Sequence, residues 1–307
     1  ADAIKLQTYT PDTLTINGKN ECFRIKGTLW EGKSLYELYK EAYTPWEWQP
    51  KLKTVAESLG LDLFSSPFDE TAVDFLENME VPAYKVASFE LVDLILLRRL
   101  GRTGKPVIMS TGMATLAEIE EAVQTLRKAG SQELALLKCT SAYPAVPEDA
   151  NLRTIPHMAE TFDLPIGLSD HTLGLAVPIA AVACGACIIE KHFTLSRKES
   201  GPDSAFSLEP PEFKALVEAV RTAEKALGNI CYEITEKQME SRAFRRSLFV
   251  VSNMKAGQIF TSDTVRSVRP ANGLHTRYLN QVLGKKTKRD IEKGTPLAWD
   301  MIALDDT

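Results

Sequence analysis

Two short segments place imidazoles, carboxylates and hydroxyls where strands give way to loops. Gly167-Leu168-Ser169-Asp170-His171-Thr172 closes one apolar run, and Ile188-Ile189-Glu190-Lys191-His192-Phe193 closes the next. Side chains alternate along a strand, so Ser169 shares a face with His171, and Glu190 with His192. Two histidines at the ends of adjacent strands can reach one divalent cation through their ring nitrogens. A single histidine is more often a packed or surface residue. Here two of the chain's four histidines stand at matching positions, so the pair is read as metal ligands. A Ser-His-Asp hydrolase triad does not fit, because Asp170 and His171 are consecutive and point to opposite faces.

The cations follow the same pattern. Lys5 with Gln7, and Lys85 with Ser88 and Glu90, lie at or just past the ends of apolar runs. A lysine inside such a run is costly to bury unless it meets an anion. Ser66, Ser110 and Ser141 end three further runs. One strand-end serine is usually a turn former. Two lysines with a ring of hydroxyls and loop N–H groups form a cradle for a small molecule bearing phosphate and carboxylate. Two other motifs carry less. Cys184-Gly185-Ala186-Cys187 has redox or zinc spacing, but no second cysteine pair exists, and buried small residues are expected there. Arg242, Arg245 and Arg246 read as a solvated face, not a nucleic-acid contact.

These residues need a scaffold that gathers strand ends. Short apolar runs at 4–7, 61–65, 83–87, 106–110, 134–139, 166–168 and 187–190 alternate with helix-period stretches. Residues 115–129 form such a stretch, ending at Gly130, and 210–227 form another, ending at Gly228. Strand and helix repeated this often, with near-continuous apolar strands, predict a parallel sheet covered by helices. Seven strands are visible. Ala1–Tyr9 enters a strand-like pattern at once, so a preceding segment is expected to supply an eighth and close a (β/α)8 TIM barrel. An open doubly wound sheet is the alternative, although no Gly-rich dinucleotide fingerprint follows a strand. After Gly228 the character changes. Residues 229–246 are polar and read as a linker, leaving 1–228 as the barrel domain and 247–307 as a small β-rich domain. Within that domain 254–263 resembles 291–300, each with a turn Gly, an apolar pair and an Asp expected to cap a helix.

Composition bounds the function classes. With 307 residues, 44% apolar, 25% charged and a net charge of −5, nothing suggests a nucleic-acid or anionic-membrane surface. No apolar run reaches membrane-spanning length. Five scattered cysteines read as reduced thiols in a cytoplasm, not a disulfide framework.

In its ordered blocks the sequence resembles the sialic acid synthase family. The blocks are KLQTYTPDT (5–13), SSPFDE (65–70), AYKVASFE (83–90), STGMAT (110–115), LKCTSAYP (137–144), GLSDHT (167–172), IEKHFT (189–194) and GPDSAFSL (201–208). The part containing Val268-Arg269-Pro270-Ala271-Asn272-Gly273 resembles that family's antifreeze-like (SAF) domain, and 32–48 is most similar to its pseudaminic acid synthase branch. The resemblance implies a metal-dependent condensation of phosphoenolpyruvate with an amino-sugar aldehyde. His171 and His192 would hold manganese or magnesium. Lys5, Ser66, Lys85, Ser88, Ser110, Ser141 and Ser169 would bind phosphoenolpyruvate, with Lys5, Lys85, Glu190 and Tyr143 central to the reaction. Gln7, Tyr143, Glu190 and Asp203 would face the sugar. Arg269 would reach a partner subunit's site in a domain-swapped homodimer. The family's Glu-Ile-Gly-x-Asn-His block, which carries a glutamate expected to be catalytic, is absent from this sequence, and position 141 is Ser where the sialic acid synthase has Asn. Alternative products are N-acetylneuraminate and legionaminic acid. A related barrel synthase acting on a sugar phosphate would need a further Arg/Lys cluster, which is not seen. The non-enzyme alternative is a saccharide-binding scaffold.

Overall fold

The computed structural model describes residues 1–28, 30–199 and 201–303. The chain forms two compact units, Ala1–Gly228 and the residues from Asn229 onward. In the first unit seven parallel strands pair in sequence order: β1 (Ala3–Thr8), β2 (Asp62–Pro67), β3 (Tyr84–Val86), β4 (Val107–Ser110), β5 (Leu134–Cys139), β6 (Ile166–Asp170) and β7 (Ile189–Lys191). A helix follows most strands, as parallel pairing requires. The sheet curls. Lys5 on β1 and Glu190 on β7, the two edge strands, meet side chain to side chain at 2.8 Å. This is a TIM-barrel-like arrangement of strands inside helices.

Alternation along the strands sorts the side chains. Tyr84 and Val86, Val107 and Met109, Leu134 and Leu136, and Ile166 and Leu168 face outward into a buried apolar cluster with the helices. Leu97 and Leu100 of the helix Leu94–Gly101 enter that cluster, as do Ile119, Ala122, Val123 and Leu126 of the helix Leu116–Ala129. The intervening residues, including Lys85, Ser110, Ser169 and Glu190, face the concave side. Local chemistry sets the helix ends. Thr115 accepts from the Glu118 N–H, and the Glu118 carboxylate accepts from the Thr115 N–H, closing a capping box. Gly130 stops the helix at φ 130°, where a side chain is disfavoured.

The second unit is small and β-rich. Its antiparallel pair is β8 (Ser247–Val250) with β9 (Val265–Val268). The two similar segments pair with each other at equivalent positions. Met254 and Ile291 exchange both backbone hydrogen bonds, Gly257 and Gly294 both turn at positive φ, and Phe260 and Leu297 are both buried. Neither aspartate caps a helix as expected: Asp263 sits in a turn leading into β9, and Asp300 lies inside a short 3-10 turn whose N-cap is Ala298. The stretch read as a linker contains a helix, Glu236–Arg242, started by a capping box between Thr235 and Gln238. Cys184 is half-buried and Cys187 exposed, against the expectation that both are buried; they lie in the connection between the helix Ala176–Ala183 and β7. All five cysteines are free thiols. Among the described residues no helix is long and apolar enough to cross a membrane.

Candidate active site

The concave side at the carboxyl ends of the strands gathers charge that the sequence scatters over almost two hundred positions. Lys85 Nζ donates to Ser110 Oγ at 2.6 Å and to the Val86 carbonyl at 3.1 Å, and lies 3.8 Å from Glu190 Oε2. Glu190 Oε1 accepts from Lys5 Nζ at 2.8 Å and from Ser169 Oγ at 3.1 Å. One carboxylate thus ties together residues from β1, β3 and β6. Burial pushes Lys85 down to about 8, against the pull of Glu190. Burial alone would raise the Glu190 carboxyl, but Lys85 and Lys5 outweigh it and hold the group well below the usual carboxylate range. The carboxylate is therefore ionised at neutral pH.

Beside this network lie hydroxyls. Ser88 and Ser141 share a hydrogen bond of 2.9 Å. Gly112 adopts φ +49°, and a Cβ there would come within 2.3 Å of Ser88 Cβ and 2.7 Å of Ser141 Oγ. A glycine lets the loop after β4 close on this pair. Ser66 is 1% exposed, and its Oγ has no hydrogen-bond partner among the described residues. A buried hydroxyl left unpaired costs free energy, which a polar ligand atom would recover. Gln7 stands in register with Ser66 on the neighbouring strand.

The imidazoles form the other half. The rings of His171 and His192 lie 5.2 Å apart. His171 Nδ1 is 2.9 Å from the Thr140 carbonyl, which leaves Nε2 as the free nitrogen. Burial, helped by the neighbouring His192, pushes His171 down to about 4, so it is the neutral, metal-binding form at pH 7. His192 Nδ1 lies 3.3 Å from Asp203 Oδ2. Tyr143 packs 4.6 Å from His171, and burial raises its hydroxyl to about 12. Among the described residues no group of three His, Cys, Asp or Glu side chains could hold a metal ion. Two imidazoles 5.2 Å apart with an open side still suit a divalent cation whose other positions are taken by water or substrate oxygens.

The structure brings Lys5, Ser66, Lys85, Ser88, Ser110, Ser141, Tyr143, Ser169, His171, Glu190, His192 and Asp203 into the first unit's strand-end region. Arg269 belongs to the second unit, just after β9, and is described with that unit only. Two further residues emerge. Phe206 is 1% exposed and packs 5.1 Å from Tyr143 and 5.0 Å from His192, a floor under the imidazoles. Glu90, noted in the sequence only as a neighbour of Lys85, is raised to about 7 by burial, and its Oε2 has no hydrogen-bond partner among the described residues. Neither follows a strand period, so alternation could not find them.

Comparison with known proteins follows the same lines. Residues 1–232 match the NeuB family, and residues 245–303 match the SAF domain. A pseudaminic acid synthase of Campylobacter jejuni is 46% identical over 97% of this chain and 87% of its own length. One from Helicobacter pylori is 45% identical over 98% of this chain and 89% of its own length. Among solved structures, an N-acetylneuraminic acid synthetase of Leptospira borgpetersenii, in complex with citrate, superposes with a TM-score of 0.69 at 34% identity, covering 78% of this chain and 79% of that one.

Proposed function

Because this chain belongs to the NeuB family, we propose that it condenses phosphoenolpyruvate with an N-acetylated 6-deoxy amino sugar to give pseudaminic acid and phosphate. The sugar in this reading is 2,4-diacetamido-2,4,6-trideoxy-altrose. The relatives named pseudaminic acid synthase, which match nearly the whole chain, support that choice. The observation that carries the chemistry is the convergence of Lys5, Lys85, the unpartnered Ser66 and the His171–His192 pair on one concave face.

Lys85 and Lys5 hold the carboxylate and phosphate of phosphoenolpyruvate, and Ser66, Ser88, Ser110, Ser141 and Ser169 donate to its oxygens. Gln7, Tyr143, Glu190 and Asp203 orient the open-chain sugar. A divalent cation, manganese or magnesium, held by His171 and His192 supplies Lewis-acid polarisation of a carbonyl oxygen when bound. Carbon 3 of phosphoenolpyruvate attacks the aldehyde carbon, forming the new C–C bond, and the aldehyde oxygen takes up a proton. Positive charge develops at carbon 2, water adds there and gives up one proton, and as the bond from carbon 2 to the phosphate oxygen breaks the new hydroxyl passes its proton to the departing phosphate. A nine-carbon 2-keto acid remains. Positioning and the fixed lysine charges supply most of the acceleration.

The finer parts of the reading are a cytoplasmic location, a domain-swapped homodimer, and Arg269 of one subunit contacting the sugar N-acyl group in its partner. Mixing His192→Ala chains with Arg269→Ala chains tests the last: activity returns in the mixture only if Arg269 of the His192→Ala chain serves the intact site of its Arg269→Ala partner. The main test offers the protein phosphoenolpyruvate, Mn2+ and one of three sugars: the altrose diamide, its legionaminic counterpart or N-acetylmannosamine. Phosphate release and product mass are measured. Consumption of the altrose diamide alone supports the reading. Consumption of N-acetylmannosamine alone overturns the choice of sugar, and release of phosphate with none of the three overturns the function.

A further inference from the structure

Asp170 and Lys191 are register partners on β6 and β7, one residue from each imidazole. Their side chains point away from the concave face, on the side where Ile166, Leu168 and Ile189 pack against the helices. Lys191 Nζ donates to Asp170 Oδ2 at 2.6 Å, with side-chain exposures of 0% and 2%. Asp170 Oδ1 accepts from Thr172 N at 2.9 Å and from Thr172 Oγ1 at 2.8 Å. Lys191 Nζ also donates to the Thr172 carbonyl in a close contact. The pair therefore grips the backbone of Thr172 at both its N–H and its C=O. His171 is enclosed between two pinned residues, and His192 follows the lysine that pins them.

A fully buried ion pair is seldom more stable than an apolar pair of the same volume, because two charges must be desolvated. Stability alone does not account for its place here. We propose that the Asp170–Lys191 pair is a positioning device: a clip on the helix side of β6 and β7 that sets the spacing and aim of His171 and His192 on the opposite face, so that both imidazoles reach one divalent cation. The inference rests on reading those histidines as metal ligands. Neither clip side chain faces the concave side, where substrate and metal would sit. Outer groups that orient ligands typically alter metal affinity by about 10–100-fold when removed.

The test uses the full chain and Mn2+ alone as probe, with free Mn2+ followed by electron paramagnetic resonance. An Asp170→Leu/Lys191→Met double variant removes both charges and leaves neither unpaired, and circular dichroism reports its fold. The expected result is a folded protein whose Mn2+ affinity falls about 10–100-fold. In turnover, kcat falls while KM for phosphoenolpyruvate, set by the lysine half of the site, changes by less than about threefold; a general loosening of the fold would move both. A folded double variant that binds Mn2+ within about threefold of the unsubstituted protein overturns the proposal. If the double variant does not fold, Asp170→Asn, which keeps an oxygen for Thr172, carries the same expectation and the same refutation. His171→Ala and His192→Ala separate the two levels. Loss of Mn2+ in these variants, with none in the clip variants, sinks the clip alone. Unchanged Mn2+ affinity in the histidine variants sinks the ligand reading and the clip with it.

Discussion

The first unit buries two lysines, and they are treated in opposite ways. Lys85, on the concave face, has one hydroxyl at 2.6 Å, the Val86 carbonyl at 3.1 Å and its nearest carboxylate oxygen only at 3.8 Å. Lys191, on the helix side, has a carboxylate at 2.6 Å and a backbone carbonyl in close contact. One charge is left under-compensated and the other is fully matched. An under-compensated buried cation keeps binding capacity for an anion that arrives later, whereas a matched one holds strands in place. Burial alone does not separate a functional charge from a structural one; the closeness of its counter-charge does.

Substitutions at the two lysines should therefore fail differently. Lys85→Met is expected to lower kcat/KM about 10³-fold, roughly 4 kcal/mol of lost transition-state stabilisation, as measured by phosphate release. Its melting temperature should fall less than that of Lys191→Met, because Glu190 keeps Lys5 at 2.8 Å. The folded-state pKa of Lys85 lies below its unfolded value, so its protonated form opposes folding at neutral pH, and that cost eases as pH rises from about 8 toward the ordinary lysine range. A drop in melting temperature as large as that of Lys191→Met would erase the contrast. Lys191→Met alone strands the Asp170 charge in the interior and should destabilise the fold by about 3 kcal/mol, read by denaturant unfolding. Next in size is Gly112→Ala, which places a Cβ against Ser88 and forces a left-handed backbone on alanine. Stability should fall by about 1–2 kcal/mol, with a rise in KM for phosphoenolpyruvate. The mildest effect is on pH. Above about pH 8 free Lys85 loses its proton, so calorimetric affinity for phosphoenolpyruvate should weaken by up to tenfold per pH unit, and Lys85→Met should abolish that dependence.

Much of this contrast was open to sequence reasoning, and part was closed to it. The period-two alternation in 166–172 and 188–193 placed Ser169, His171, Glu190 and His192 on one face, and their contacts agree. The internal repeat in the second unit appears as the Met254–Ile291 pairing. The Asp170–Lys191 pair is not legible in the sequence, because alternation says which way a side chain points but not what it meets. The exposure of Cys187 is closed to sequence for a similar reason: spacing does not say which side of a helix-to-strand connection meets solvent.

The sequence by itself determined the order of strands and helices, the glycine stops at Gly130 and Gly228, the identity of the residues at strand ends and the family to which they belong. Those features are local, set by periodicity, helix-ending glycines and residue type. Tertiary structure alone decided that Lys5 and Glu190, separated by 185 positions, share a hydrogen bond, and that the two buried lysines have unequal partners. Such pairings follow from how far the sheet curls and from strand register. Neither is a property of any segment, so each appears only when all seven strands are in place.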